Sequence, residues 1–379
     1  MWKLKKKINR VFNQIFPKKF DNYWKSIKNS ESIDPNLKFI TNSFINSKSY
    51  EFVSNYWHIL NIGNYETLYK QGIKKYGSTI AKNYYTFSDI SGDDIIVRAI
   101  DNLKNNNNSI ETKVSDFFKK QDGFNFKESI IYNYFCFLLF YNLKLKVSYK
   151  YLSKLKNETY LGFNDPYIEI EKIKVSIDKI VSLLDYDQIN KTFDVENFKT
   201  ILEIGAGSGR TSEAILTIEK NLKYIICDIA PATYISYERL KKAFPNKKIS
   251  LLININDKKK LNEEIESNDI SFIFPHQLKM IKNDSLDLSI AIDCMHEMDK
   301  KTIRYYLDTI NNISRNFYFS IWENYEVPFS KKLFQESNKL NYFHGDYNVP
   351  KNWKNLLNEK LVFPSTFLSL GFNISKNKN

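Results

Sequence analysis

Paired cysteines are missing from this sequence. Cys136, Cys227 and Cys294 are its three cysteines and they stand far apart, so it offers neither a zinc-type pair nor a C-x-x-C redox motif. Two of them fall in segments that read as buried strands, where Cys behaves as a small apolar residue. A reduced, cytoplasmic protein is expected. Long apolar runs are also lacking. The most apolar stretch, "IIYNYFCFLLFY" from Ile130 to Tyr141, is interrupted by Asn133 and is too short to span a bilayer. It is expected to be a buried helix. The basic N-terminus is followed by no apolar h-region and no small-residue cleavage site, so no secretory signal is read.

What is present is ample apolar material. Of 379 residues, 42% are hydrophobic and 15% aromatic, which excludes global disorder. The length suits two domains, or one domain with a large extension. A formal net charge of +13 favours an anionic partner only weakly, because the chain is rich in Lys, Asn and Ile together, a pattern that coding bias produces without selection for charge.

The first 20 residues, "MWKLKKKINRVFNQIFPKKF", place Trp2, Ile8, Val11, Phe12, Ile15 and Phe16 near one helical face with basic residues between them. This segment reads either as a helix docked on the body of the protein or as a peripheral contact with the inner face of a membrane. Residues 1–165 read as a mainly helical N-terminal region. The run Asn105 to Asn108 reads as a surface insertion. The clusters "NYWHIL" and "AKNYYTF" suit a core, with the lining of a sugar cleft as the alternative. Tyr167 to Tyr186 reads as an amphipathic helix.

From there the chain alternates strand and helix, which predicts a parallel sheet covered on both faces over residues 166–379. Strands are expected at Thr200–Ile204, Lys223–Cys227, Ser271–Phe274, Leu286–Ile292 and Asn316–Ile321. Ile249–Ile255 competes for the third place, and "LVFPSTFLSLGFNIS" is expected to supply a closing pair.

Glycine is scarce, with 11 in the chain, yet Gly205, Gly207 and Gly209 stand at alternate positions in "TILEIGAGSGRTSEAIL". Glycine permits positive φ and close approach of a ligand to the backbone. The helix beginning near Arg210 would point its amides at the same place. Asp228, at the end of the next strand, stands at the spacing expected of a ribose-binding carboxylate. Dinucleotide sites favour G-x-G-x-x-G, whereas this turn is G-x-G-x-G with Glu203 inside the strand end. A carboxylate there repels a pyrophosphate and suits a cation. A turn with a purely structural role is the alternative.

"LEIGAGSGR" resembles motif I of the class I S-adenosylmethionine (SAM)-dependent methyltransferases. Taken together, "YIICDIAPATYISYERLKKAFP", "SFIFPHQLKMI" and "DLSIAIDCMHEM" resemble a bacterial family of sugar O-methyltransferases over about residues 195–325. The departures are Ala230 before Pro231, and Cys294 in a small-residue position. The resemblance implies an α/β fold, a Rossmann-like class I methyltransferase sheet with helices on both faces. It does not extend to the first 160 residues, and the helical region there is expected on its own account to shape the acceptor pocket. The resemblance implies SAM held by Glu203, Gly205, Ala206, Gly207 and Gly209 at the methionine end and by Asp228 and Ile229 at the ribose. His276 and Gln277 would lie near the adenine, and Asp293 beside the glycine turn. His296 is the first candidate for the base that takes the acceptor proton, since a histidine titrates near neutrality. Glu297 is the second, as base or as orienting group.

No Asn/Asp-Pro-Pro-aromatic sequence follows the fourth strand and no Pro-Cys occurs, so nucleic acid is a poor acceptor. A nucleotide sugar or a surface glycan is expected, and no metal cluster is read. An NAD(P)-dependent oxidoreductase on the same topology and a non-catalytic interaction module remain as rivals.

Overall fold

The computed structural model describes residues 19–82, 117–146, 149–152, 154, 166–322, 347, 349–361 and 369–376. Helices dominate the N-terminal part, and their starts are set by side-chain caps. Asp34 accepts hydrogen bonds from the amides of Asn36 and Leu37, and Pro35 takes the first position of α1 (Pro35–Ile45). Ser54 accepts from the amide of Trp57 at the start of α2 (Asn55–Gln71). Asn125 and Glu128 satisfy each other's amides in a capping box that opens α3 (Phe126–Lys144).

The apolar stretch at Ile130–Tyr141 is therefore a largely buried helix, as expected. Asn133 does not break it. Its amide donates to the carbonyls of Phe117 and Lys119, and its carbonyl accepts from Gln121 Nε2 at 2.6 Å, so the polar group is satisfied in the core. Among the described residues no helix is long and apolar enough to cross a membrane. The basic segment of residues 1–20 lies outside the described residues except at its end, where residues 19–27 are helical and Phe20 is buried. The asparagine run at 105–108 and most of "AKNYYTF" also lie outside them.

Residues 167–186 do not form one helix. Strand β1 (Ile168–Ile170) pairs antiparallel with β2 (Ile173–Val175), through a turn in which Glu171 and Lys172 have φ of 51° and 63°. The cause is legible in "IEIEKIKV", where apolar and polar residues alternate with the period of a strand. Ser176 then accepts from the amide of Lys179 and opens α4 (Ile177–Asn190).

The sheet follows. In chain order it comprises β3 (Thr200–Ile204), α5 (Arg210–Ile218), β4 (Lys223–Cys227), α6 (Ala232–Ala243), β5 (Ile249–Leu251), α7 (Lys258–Ser267), β6 (Ile270–Ile273), β7 (Leu286–Ile292), α8 (Lys300–Ile313), β8 (Ser314–Trp322), β9 (Trp353–Lys360) and β10 (Ser369–Lys376). The spatial order is β5-β6-β4-β3-β7-β8-β10-β9. The six strands from β5 to β8 run parallel, and β10 lies antiparallel between β8 and β9.

Two expectations about strands change. Ile249–Leu251 and Ile270–Ile273 do not compete: β6 sits beside β4, and β5 adds an outer edge. The closing pair is β9 with β10, so one partner lies upstream of "LVFPSTFLSLGFNIS" rather than within it.

Alternation along β3 sends Ile201 to one core and Leu202 and Ile204 to the other. The first core takes its cover from α4, α5 and α6 and continues into α1, α2 and α3; the second takes it from α7 and α8. Each buried Leu or Ile contributes about 1.5–3 kcal/mol relative to exposure. Both faces of the sheet are thus sealed, and the carboxyl ends of its strands are where a ligand can reach the backbone.

Candidate functional site

The order of the sheet reverses at β3, with β4 on one side and β7 on the other. Gly205, Gly207 and Gly209 leave β3 at this switch point, with φ of 68°, 57° and 76°, a region costly for residues bearing a Cβ. The three positions differ in their surroundings. A Cβ on Gly205 would stand 2.8 Å from Cys294 Cβ, and one on Gly209 would stand 3.1 Å from Ser236 Cβ. A Cβ on Gly207 would meet nothing within 4 Å. The outer two glycines fit the turn against the protein, and the middle one faces open space. Ala206 is buried, and its carbonyl accepts from the amide of Gly209, from which α5 begins.

Carboxylates surround this turn. Asp228, at the end of β4, accepts from the amide of Gly207 at Oδ2 (2.8 Å) and from that of Ile229 at Oδ1 (2.7 Å). Burial pushes its pKa up to about 7 against the opposing effect of those two bonds. Glu203 lies under the turn, where its Oε2 accepts from Tyr224 at 2.9 Å, and burial raises its pKa to about 7. Asp293, with φ of 51°, follows β7; its amide and Oδ1 are both bonded to Ser320 Oγ on β8. Glu297 accepts at Oε2 from the indole nitrogen of Trp57 at 3.1 Å.

The four acids are gathered closely enough that Asp228 acts on Glu203, Asp293 acts on Glu297, and all four act on Cys294. Burial drives the Cys294 thiol well above its ordinary pKa, and the charges of Asp228, Glu297, Asp293 and Glu203 all push it the same way. Glu297 itself is raised to about 8, first by burial and then by Asp293, with Trp57 opposing. The hydrogen bonds to Glu203, Asp228 and Glu297 come from a phenol, the Ser212 hydroxyl, two backbone amides and an indole, all neutral donors. Among the described residues the one cation whose charge acts on these three is Arg210, on Glu203. Concentrated negative charge held by neutral donors attracts a cation. The four carboxylates do not converge on a point: among the described residues no group of three or more His, Cys, Asp or Glu side chains is placed to hold a metal ion.

His296 and Glu297 are neighbours in a short turn of 3-10 helix after β7, but they differ in access. His296 is 1% exposed, and burial lowers its pKa to about 3. A ring so placed stays neutral at physiological pH and is a poor base, which corrects its rank as first candidate. Glu297 is only half buried. Gln277 also departs from expectation. Its side chain is fully buried, accepting from the Phe274 amide and donating to the carbonyls of Leu252 and Ile255. It ties β5 to the end of β6 and has no group left to offer an adenine. His276 faces the N-terminal region: Ser49 Oγ accepts from its amide (2.8 Å) and lies 2.7 Å from its Nδ1.

Trp57, Tyr224, Ser320 and Asn61, whose amide donates to the Ala230 carbonyl, were not singled out from the sequence. Of these positions the sequence marks only Trp57, within the aromatic cluster "NYWHIL". Nothing in local spacing joins positions 57 and 297; the contact exists because α2 lies across the strand ends. His58, one residue on, is a core residue beside Phe20 and Tyr50, and His344 lies outside the described residues.

Parallel strands ordered outward from the β3/β7 switch and closed by an antiparallel β10, with a G-x-G-x-G turn after β3, define an α/β class I methyltransferase fold. No family model matches the chain, and no curated protein matches it. Solved structures similar to it include the pyocyanin biosynthetic protein PhzM, with 10% identity over 52% of this chain and 56% of that one and a TM-score of 0.34. Another is the mitomycin 7-O-methyltransferase MmcR, with 14% identity over 52% and 54% of the two chains and a TM-score of 0.32. A third is an O-methyltransferase family 2 protein from Planctomyces limnophilus in complex with apigenin, with 11% identity over 47% and 51% and a TM-score of 0.32. The matched part spans about half the length of each of these proteins.

Proposed function

We propose that this protein is a SAM-dependent O-methyltransferase acting on a sugar hydroxyl, of a nucleotide sugar or a surface glycan. The observation that carries the cofactor reading is the set of four carboxylates, Glu203, Asp228, Asp293 and Glu297, gathered around a glycine turn whose middle residue opens onto space. A pyrophosphate would be repelled there. SAM bears a sulfonium and an ammonium and no phosphate, so its charge matches the site. The helical N-terminal region forms the acceptor side, and the sugar is inferred from the resemblance over residues 195–325 alone.

Gly205 to Gly209 and Glu203 would hold the methionine end, Asp228 and Ile229 the ribose, and Asp293 the ammonium. When bound, SAM supplies a methyl group activated by the sulfonium. The chain must then hold the acceptor in line and take its proton. Glu297 suits that task better than His296. Trp57 occupies its Oε2, no described residue donates to Oε1, and a carboxylate raised to about 8 has useful basicity near neutral pH. Glu297 Oε1 would take the proton of the acceptor hydroxyl as its oxygen takes the methyl group, with the methyl carbon–sulfur bond breaking and its electron pair leaving on the sulfur of S-adenosylhomocysteine.

Calorimetric titration with SAM, S-adenosylhomocysteine and NADH tests the cofactor. Micromolar binding of both adenosyl ligands, with none of NADH, supports the reading. Binding of NADH alone would replace it with the oxidoreductase. An acceptor screen that follows S-adenosylhomocysteine release then tests the sugar.

A further inference from the structure

Residues 49–61 cross the carboxyl ends of three strands, and each anchor has a physical reason. Ser49 brackets His276 after β6. The Phe52 ring packs on Tyr305 of α8 with centroids 4.3 Å apart. Trp57 bonds to Glu297 after β7, and Asn61 to the Ala230 carbonyl after β4. Ser54, capping the Trp57 amide at 3.3 Å, fixes the indole in the first turn of α2.

We propose that Trp57 is the positioning residue for Glu297, so that docking of this strap aligns the proton acceptor of the methyl-transfer site. The inference rests on the methyltransferase reading for its catalytic meaning, but the coupling of the two side chains stands apart from it. An indole N–H can only donate. It therefore favours the ionised carboxylate and commits Oε2, leaving Oε1 to the acceptor. Glu297 is faced by Asp293 from the end of β7, by its neighbour His296, and by Trp57 from α2. Across Cys294 it is faced by Asp228 from β4 and Glu203 from β3. The acids favour its protonated form, and Trp57 opposes them. The first 160 residues are then part of the catalytic device, since the donor to Glu297 comes from 240 positions upstream.

The full-length protein labelled with 5-fluorotryptophan provides the test without any ligand. The chain has five tryptophans, and the Trp57 resonance is identified by its loss in Trp57→Phe. It should titrate with a midpoint near that of Glu297, about 8, and lose that titration in Glu297→Gln. A Trp57 resonance that stays flat, or that titrates unchanged in Glu297→Gln, overturns the proposal. In the active enzyme, Trp57→Phe should lower kcat at pH 7 by about tenfold. The acidic limb of the kcat profile should move to higher pH, with KM for SAM unchanged. An unmoved profile overturns the positioning role. A coupled fluorine titration in a protein that binds no SAM leaves the contact standing and sinks the methyltransferase reading instead.

Discussion

Asp228 Oδ2 accepts the Gly207 amide hydrogen at 2.8 Å, joining the end of β4 to the one glycine of the turn whose missing side chain faces open space. The same carboxylate therefore shapes the turn and stands at its mouth. Asp228→Ala removes both effects, and hydrogen bonds to a charged group are worth about 1.5–3 kcal/mol. SAM affinity measured by calorimetry should fall by roughly tenfold to a hundredfold, in keeping with that energy. Unchanged affinity would remove Asp228 from the cofactor site.

The acid cluster makes stability and binding depend on pH in opposite senses. Glu203, Asp228 and Glu297 have folded pKa values of about 7, 7 and 8, raised chiefly by burial above those of ordinary carboxyls. Their contribution to stability is fully present below the unfolded values near pH 4 and is lost as pH rises through 7 and 8. The melting temperature of the ligand-free protein should fall between pH 6 and 9, with a shallower fall in Glu297→Gln. A cationic ligand favours the ionised carboxylates, so binding should release protons and tighten over the same range. Calorimetry at pH 7 in two buffers of different ionisation enthalpy measures that release, and equal heats in both would count against a cation in this site.

The outer and middle glycines should fail differently. Gly205→Ala places a Cβ at 2.8 Å from Cys294 Cβ, so the turn or the end of β7 must shift, and thermal stability should drop clearly. Gly207→Ala bears only the left-handed backbone strain, about 1–2 kcal/mol, but its methyl enters the space open to a ligand. It should weaken SAM binding more than it lowers the melting temperature. The reverse order of effects in the two variants would contradict the orientation assigned to the turn.

Much of this was legible because it is local. The boundaries of β3, β4 and β7 follow from apolar runs ended by glycine or acid, and the start of α5 at Arg210 follows from the last glycine. The glycine turn and Asp228 lie within a few residues of those strand ends, so their juxtaposition too could be read. Residues 167–186 depart from the single helix expected because Ile168, Ile170, Ile173 and Val175, three of them buried and Ile173 half-buried, serve a helical stripe or a hairpin alike, and only the alternation on either side of the polar pair Glu171–Lys172 separates them. Gln277 and His296 were misjudged for another reason. Their residue types suit chemistry, and burial, which decides their role, is set by chain from other parts of the fold. The link from Trp57 to Glu297 had no sequence signal at all.

His296 offers a clean separation of type from environment. With the ring 1% exposed and its pKa lowered by burial to about 3, the folded state binds fewer protons than the unfolded state between pH 3 and the ordinary value near 6.5. Its contribution to stability is therefore present above about pH 6.5 and lost as pH falls through 3. Of the four histidines in the chain, His296 should show no imidazole titration by NMR between pH 5 and 9. His296→Gln should lower the melting temperature while leaving the pH profile of methyl transfer in place. A profile whose acidic limb moved in this variant, in a protein still folded, would return the role of base from Glu297 to His296.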